Sequence, residues 1–218
     1  MGSISLDRQT RRIRIDDMPG IRMGSRIQRL SDDAPVWSVA AFTGRLVELS
    51  GATAPAVLTA AVRLAREAQA EREPVAWITR VGTVFFPPDV AEHGIDLAAL
   101  AVVRAPDELS IGKAAYTLVR SGAFGLIVLD MGRDAWMPIP TQARLVRFAQ
   151  LRDTAVVCLT VKGSGTPSLG SLVSLRGEVR RKRIGGDVFS YEVEILKDKH
   201  RAPTWAHREE CRGPVGLP

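Results

Sequence analysis

Apolar and polar positions alternate in blocks along most of this chain, and the period of each block predicts its structure. Leu46-Val47-Glu48-Leu49 opens a short apolar strand over 46–50 that turns at Ser50-Gly51. Beyond it Val57, Leu58, Ala61, Leu64, Ala65 and Ala68 recur at helical spacing and predict a helix near 54–71. VAWI (75–78) reads as a second strand, and PPDVAEHGI as a proline-led short helix stopped at Gly94. LAVVRA (100–105) is a third strand. The next helix lies near 108–121, where Ile111, Ala114, Ala115, Leu118 and Val119 share one face. FGLIVLD (124–130) is a continuous apolar run, the pattern of a parallel strand buried on both faces. PTQARLVRFAQLRD (140–153) is an amphipathic helix, and TAVVCLTV (154–161) another buried strand.

After residue 170 the period changes to two. SLVSLRGEVRRKR and VFSYEVEILKDK flank IGGD, which predicts an antiparallel hairpin on the sheet's edge. Residues 1–43 are irregular apart from RRIRI, which alternates like a short strand. RAPTWAHREECRGPVGLP shows no periodicity. The expected organisation is an N-terminal extension (1–43), an α/β core with a mainly parallel twisted sheet flanked by helices (44–203), and a flexible tail (204–218).

At 218 residues the chain suffices for one domain with extensions. No apolar run approaches the roughly 18 residues of a membrane-spanning helix, so no membrane role is expected. The N-terminus lacks the apolar centre of a signal peptide, and the two cysteines, Cys158 and Cys211, make neither a disulfide framework nor a zinc site. Both features point to the cytoplasm. The net charge of +6 favours acidic partners, nucleic acid among them, without selecting one.

Strand, turn and alanine-rich helix from Gly44 to Ala65 have the setting of a phosphate-binding loop. Ala52 to Leu58 carry none of its chemistry. Arg180-Arg181-Lys182-Arg183 is the densest positive run. It serves either to contact phosphates or an acidic partner, or to keep a hairpin's edge strand in solution. His93, His200 and His207 have no metal-ligand spacing and read as surface residues. Cys158 reads as core packing. Trp37, Trp136 and Trp205 lie in loop-like segments, as interface residues or as caps on the core.

Five words in order resemble the RecA recombinase core: GRLVELSG, VAWI, HGIDLAALAVVRAPDEL, LVRSGAFGLIVLD and VEILKDKHRAP, spanning roughly residues 44 to 203. The departures matter most. Where the resemblance places the last loop glycine, the phosphate-binding lysine and the magnesium-binding hydroxyl, this chain has Ala56, Val57 and Leu58. Of the loop glycines only Gly51 survives. Thr79, Arg80 and Val81 replace the acidic stretch that activates water. Asp130 keeps the Walker B position, and reads as a hydrogen-bonding residue at a strand end. The resemblance therefore implies a degenerate site with no nucleotide or metal cofactor and no catalysis.

KGSGTPSLGS after strand 154–161, and the span from Asp130 to Pro140, are too short for full DNA loops of the recombinase type. Residues 1–43 hold no counterpart of RecA's N-terminal docking helix and strand, which favours a monomer. By resemblance, that arm of a RecA protomer docks around 100–104 and 108–121. Ala115, Leu118, Val119 and Phe124 then supply the apolar surface, unless they face the chain's own sheet. A RecA-like chain lacking the lysine resembles the ImuA family, which acts with ImuB and a DnaE-type polymerase in mutagenic translesion synthesis. The expected function is a non-catalytic adaptor that binds RecA and limits its filament. Direct DNA contact is left open. The alternatives are a divergent NTPase drawing on a lysine such as Lys113, and a SulA-type cell-division inhibitor.

Overall fold

A computed structural model describes residues 37–212 except 84, 86, 134, 187 and 204. RRIRI and most of the expected N-terminal extension lie outside the described residues, as do 213–218.

The elements follow the predicted periods. A single turn, α1 (Val39–Phe42), capped by the Ser38 hydroxyl, precedes β1 (Leu46–Gly51) and α2 (Ala54–Ala70). Next come β2 (Val75–Arg80), α3 (Pro87–Glu92), β3 (Leu100–Ala105) and α4 (Glu108–Ser121). Then follow β4 (Leu126–Gly132), α5 (Ile139–Arg152) and β5 (Ala155–Val161). β6 (Leu175–Gly185), β7 (Val188–Asp198) and β8 (Ala206–Arg212) complete the chain. α4 starts where the Asp107 carboxylate accepts the Ser110 N–H at 2.7 Å, and stops at Gly122, whose φ of +71° favours glycine.

Among the described residues eight strands form one sheet in the order β3-β2-β4-β5-β1-β6-β7-β8. β3 to β6 in that order run parallel, and β6, β7 and β8 pair antiparallel. The fold is therefore α/β with a mixed, mostly parallel sheet flanked by helices. Leu126, Ile127, Val128 and Leu129 are wholly buried because helices cover both faces. Val47 and Leu49 pack toward α2, while Leu46 packs with α4 and α5 on the opposite side. Gly112 lets the two helices on that side approach closely: a Cβ there would lie 3.0 Å from Thr141 Cγ2.

Two expectations need correction. Residues 206–212, assigned to a flexible tail, form β8, which pairs with β7 from Val188↔Arg212 to Glu194↔Ala206. Trp37 and Ser38, within the supposed extension, are buried core residues. β6 meets β1 only over Leu175–Glu178, so its outer half pairs with β7 alone and the hairpin extends past the parallel sheet. Among the described residues no helix is long and apolar enough to cross a membrane.

Candidate functional site

The β1–α2 turn settles how the phosphate-loop resemblance is built. Only Ala52 and Thr53 separate the strand from the helix. A cradle of backbone N–H groups needs more chain than that. Ala56 and Val57 are buried, 2% exposed each, and Leu58 packs half-buried against the same core. A Cβ on Gly51 would lie 2.9 Å from Val57 Cγ2 and 2.8 Å from the Val179 carbonyl oxygen. Gly51 is thus required by the packing of Val57 and β6. The loop expected as an empty cradle is a closed turn, with a valine methyl where the lysine stem would begin.

Asp130 stands within β4, half-buried, and accepts a hydrogen bond from Thr79 Oγ1 at 3.2 Å. Thr79 also shares a short hydrogen bond with Thr83. Burial pushes the Asp130 carboxyl above its ordinary range, with the Thr79 hydrogen bond opposing. Among the described residues no cation pairs with it. Arg80 forms an ion pair with Glu108 at 2.7 Å, tying β2 to the start of α4, and Val81 is exposed. Lys113 lies exposed on α4, which packs on the opposite face of the sheet from α2.

Beside the closed turn sits a buried polar network that sequence reading missed. Glu48, wholly buried in β1, pairs with Lys162 at 2.6 Å and accepts hydrogen bonds from Thr160, Ser168 and the Leu169 N–H. Burial alone would raise its carboxyl. The bonds from Lys162, Leu169 and Ser168 outweigh that and hold it below its ordinary value. From β6, buried Arg176 donates to Ser50 Oγ and to the carbonyls of Thr166 and Gly163. Glu178 accepts the Ser164 N–H at 2.8 Å. The segment read as too short for a full DNA loop is held at both ends by buried charges.

The proposed apolar contact residues do not form a free surface. Ala115 and Val119 are wholly buried, and Leu118 and Phe124 pack half-buried against the same cluster. They line the chain's own core, as helical apolar spacing usually does. The basic run is divided as well. In a strand successive side chains alternate, so Arg180 and Lys182 share one face while Arg181 and Arg183 share the other. Arg180 is paired with Glu178 at 2.6 Å and Glu194 at 3.0 Å. The Arg181 guanidinium lies 3.7 Å over the Phe189 ring. No continuous positive patch results.

A cleft of about 310 Å³ opens between α2 and the β7–β8 pair. His207, expected on the surface, stacks on Trp37 with ring centroids 5.5 Å apart. Arg63 pairs with Glu209, which also accepts the Tyr191 hydroxyl at 2.6 Å. Burial, then Arg63, lowers the His207 pKa, and burial pushes Tyr191 up to about 12. These contacts bind the two ends of the described chain together. Trp205 packs half-buried against the same core, and Trp136 stands 57% exposed after β4. His93 and His200 lie away from this cluster, His93 between the Asp89 and Arg212 carbonyls. Cys158 is wholly buried in the core, which drives its thiol pKa upward.

No family model matches the chain, and no curated protein matches it.

Proposed function

We propose that this chain is a RecA-like adaptor without nucleotide chemistry, of the kind the ImuA resemblance implies. It binds RecA at the protomer–protomer surface, limits filament growth and links RecA to a mutagenic translesion assembly with ImuB and a DnaE-type polymerase. The observation that carries this reading is the closure of the β1–α2 turn around Val57. A γ-phosphate has no backbone cradle here, and the nearby cations Lys162 and Arg176 are engaged by Glu48, Ser50 and backbone carbonyls, so a cycle of ATP binding and hydrolysis has nothing to run on.

The edge of the sheet supports the binding half of the reading. Among the described residues β3 is the outermost strand and pairs with β2 alone, so its outer row of N–H and C=O groups is the one an added strand would meet. Val102 and Arg104 stand exposed on it. Because Ala115 and Val119 are buried, the contact shifts from the face of α4 to this edge. RecA's N-terminal helix and strand are the element that would add there. Occupation of this edge by RecA's arm would cap the filament at that protomer.

RecA assembly on single-stranded DNA, followed by light scattering, tests the reading. The expected result is slowed growth at substoichiometric amounts of the chain, with no ATP binding in a magnesium-containing titration. Micromolar ATP affinity, measurable turnover, or unchanged filament growth would contradict it.

A further inference from the structure

The two helices on one face of the sheet carry a local excess of positive charge, with Asp107 and Asp153 at their ends. α4 and α5 together carry Lys113, Arg120, Arg144, Arg147 and Arg152 against a single acid, Glu108, which Arg80 occupies. α2, on the other side of the sheet, carries mixed charges. Along α4 the positions Leu109, Lys113, Tyr116 and Arg120 are spaced four, three and four residues apart, so they form one stripe. Along α5, Arg144, Arg147, Phe148 and Leu151 form another. Tyr116 and Phe148 meet edge to face between the helices, centroids 5.5 Å apart, and join the stripes. Arg120 lies over the Tyr116 ring and Arg147 over the Phe148 ring, at 5.7 and 5.9 Å. Leu109 and Leu151 are 51% and 63% exposed.

We infer that this helix-pair face docks an acidic, amphipathic segment of a partner protein. Its carboxylates would meet the basic residues, and its aliphatic side chains would cover Leu109 and Leu151. The aliphatic residues decide between protein and nucleic acid. A phosphate backbone gives exposed leucines nothing to bury against, and stacking bases need an open aromatic face. Tyr116 and Phe148 are packed against each other. From Leu109 to Arg120 the stripe is about 16 Å long, which matches a partner helix of roughly three turns. This docking face is separate from the β3 edge and does not depend on the RecA reading.

The test is fluorescence anisotropy on the full chain with three labelled probes. The first is a roughly 12-residue acidic peptide with leucines at i, i+4 and i+7, and the second is the same peptide with serines for the leucines. The third is a single-stranded DNA of roughly 20 nucleotides. The leucine peptide is expected to bind about tenfold tighter than either control, and the R144E/R147E variant to bind it about tenfold more weakly, with unchanged melting. That variant should retain RecA binding, and Val102→Glu should retain the peptide, which separates the two surfaces. A leucine peptide that binds no tighter than its serine version, or less tightly than DNA, overturns the inference.

Discussion

Val57 and Glu48 show how single side chains decide what this scaffold can do. Val57 fills the space beside Gly51, so a lysine placed there is not expected to create a nucleotide site. Val57→Lys is expected to lower stability by on the order of 3 kcal/mol, through burial of an ammonium, with calorimetric ATP binding still absent. Gly51→Ala, forced against the Val179 carbonyl and Val57, should cost about 1–3 kcal/mol in denaturant melts. Glu48→Gln leaves Lys162 without its charge partner in a nearly buried site and should cost about 3–5 kcal/mol. The pH dependence follows from the same groups. His207 has a folded pKa below its ordinary 6.5, so the folded state favours the neutral ring, and stability falls as pH drops below about 6.5. Glu48 is lowered from 4.5, so the stability it confers is full above that value and lost as pH falls through its folded pKa. Denaturant midpoints measured across pH should therefore decline in two stages; burial lowers His200 as well, so His207→Asn should shrink the first stage and His207→Asn with His200→Asn remove it.

At the scale of elements, β8 explains what was legible in the sequence and what was not. The parallel strands announced themselves because both their faces are apolar, and α2, α4 and α5 because their buried stripes are. β8 holds His207, Glu209 and Cys211 half-buried on its inner face, through the Trp37 stack, the Arg63 ion pair and the Tyr191 hydroxyl. Its period of two is real but carried by polar residues, and hydropathy does not register it. Glu209→Ala should therefore loosen β8 from α2, seen as faster amide exchange across Ala206–Arg212. The closed turn was more legible than the resemblance suggested. Pro55 in the first helical turn, together with apolar spacing from Val57, already places the helix start within three residues of Gly51. Strand parity likewise splits Arg180–Arg183 between two faces. The Glu48–Lys162–Arg176 network was not legible, because its members lie up to about 130 residues apart and only the sheet brings them together. For the β3 edge, Val102→Glu places a charge where an added strand would pack, and should weaken RecA binding at least about tenfold with unchanged melting.

At the scale of the whole molecule, β3 is the edge strand among the described residues, and the closed turn follows β1, four strands away. On the proposed reading, the closed turn leaves no place for nucleotide chemistry and the β3 edge receives another chain's strand. Calorimetry with full-length RecA and with RecA lacking its N-terminal helix and strand tests that pairing of features most directly. Binding of the full-length protein alone is the predicted result. Equal binding of both forms, or of neither, would contradict the account.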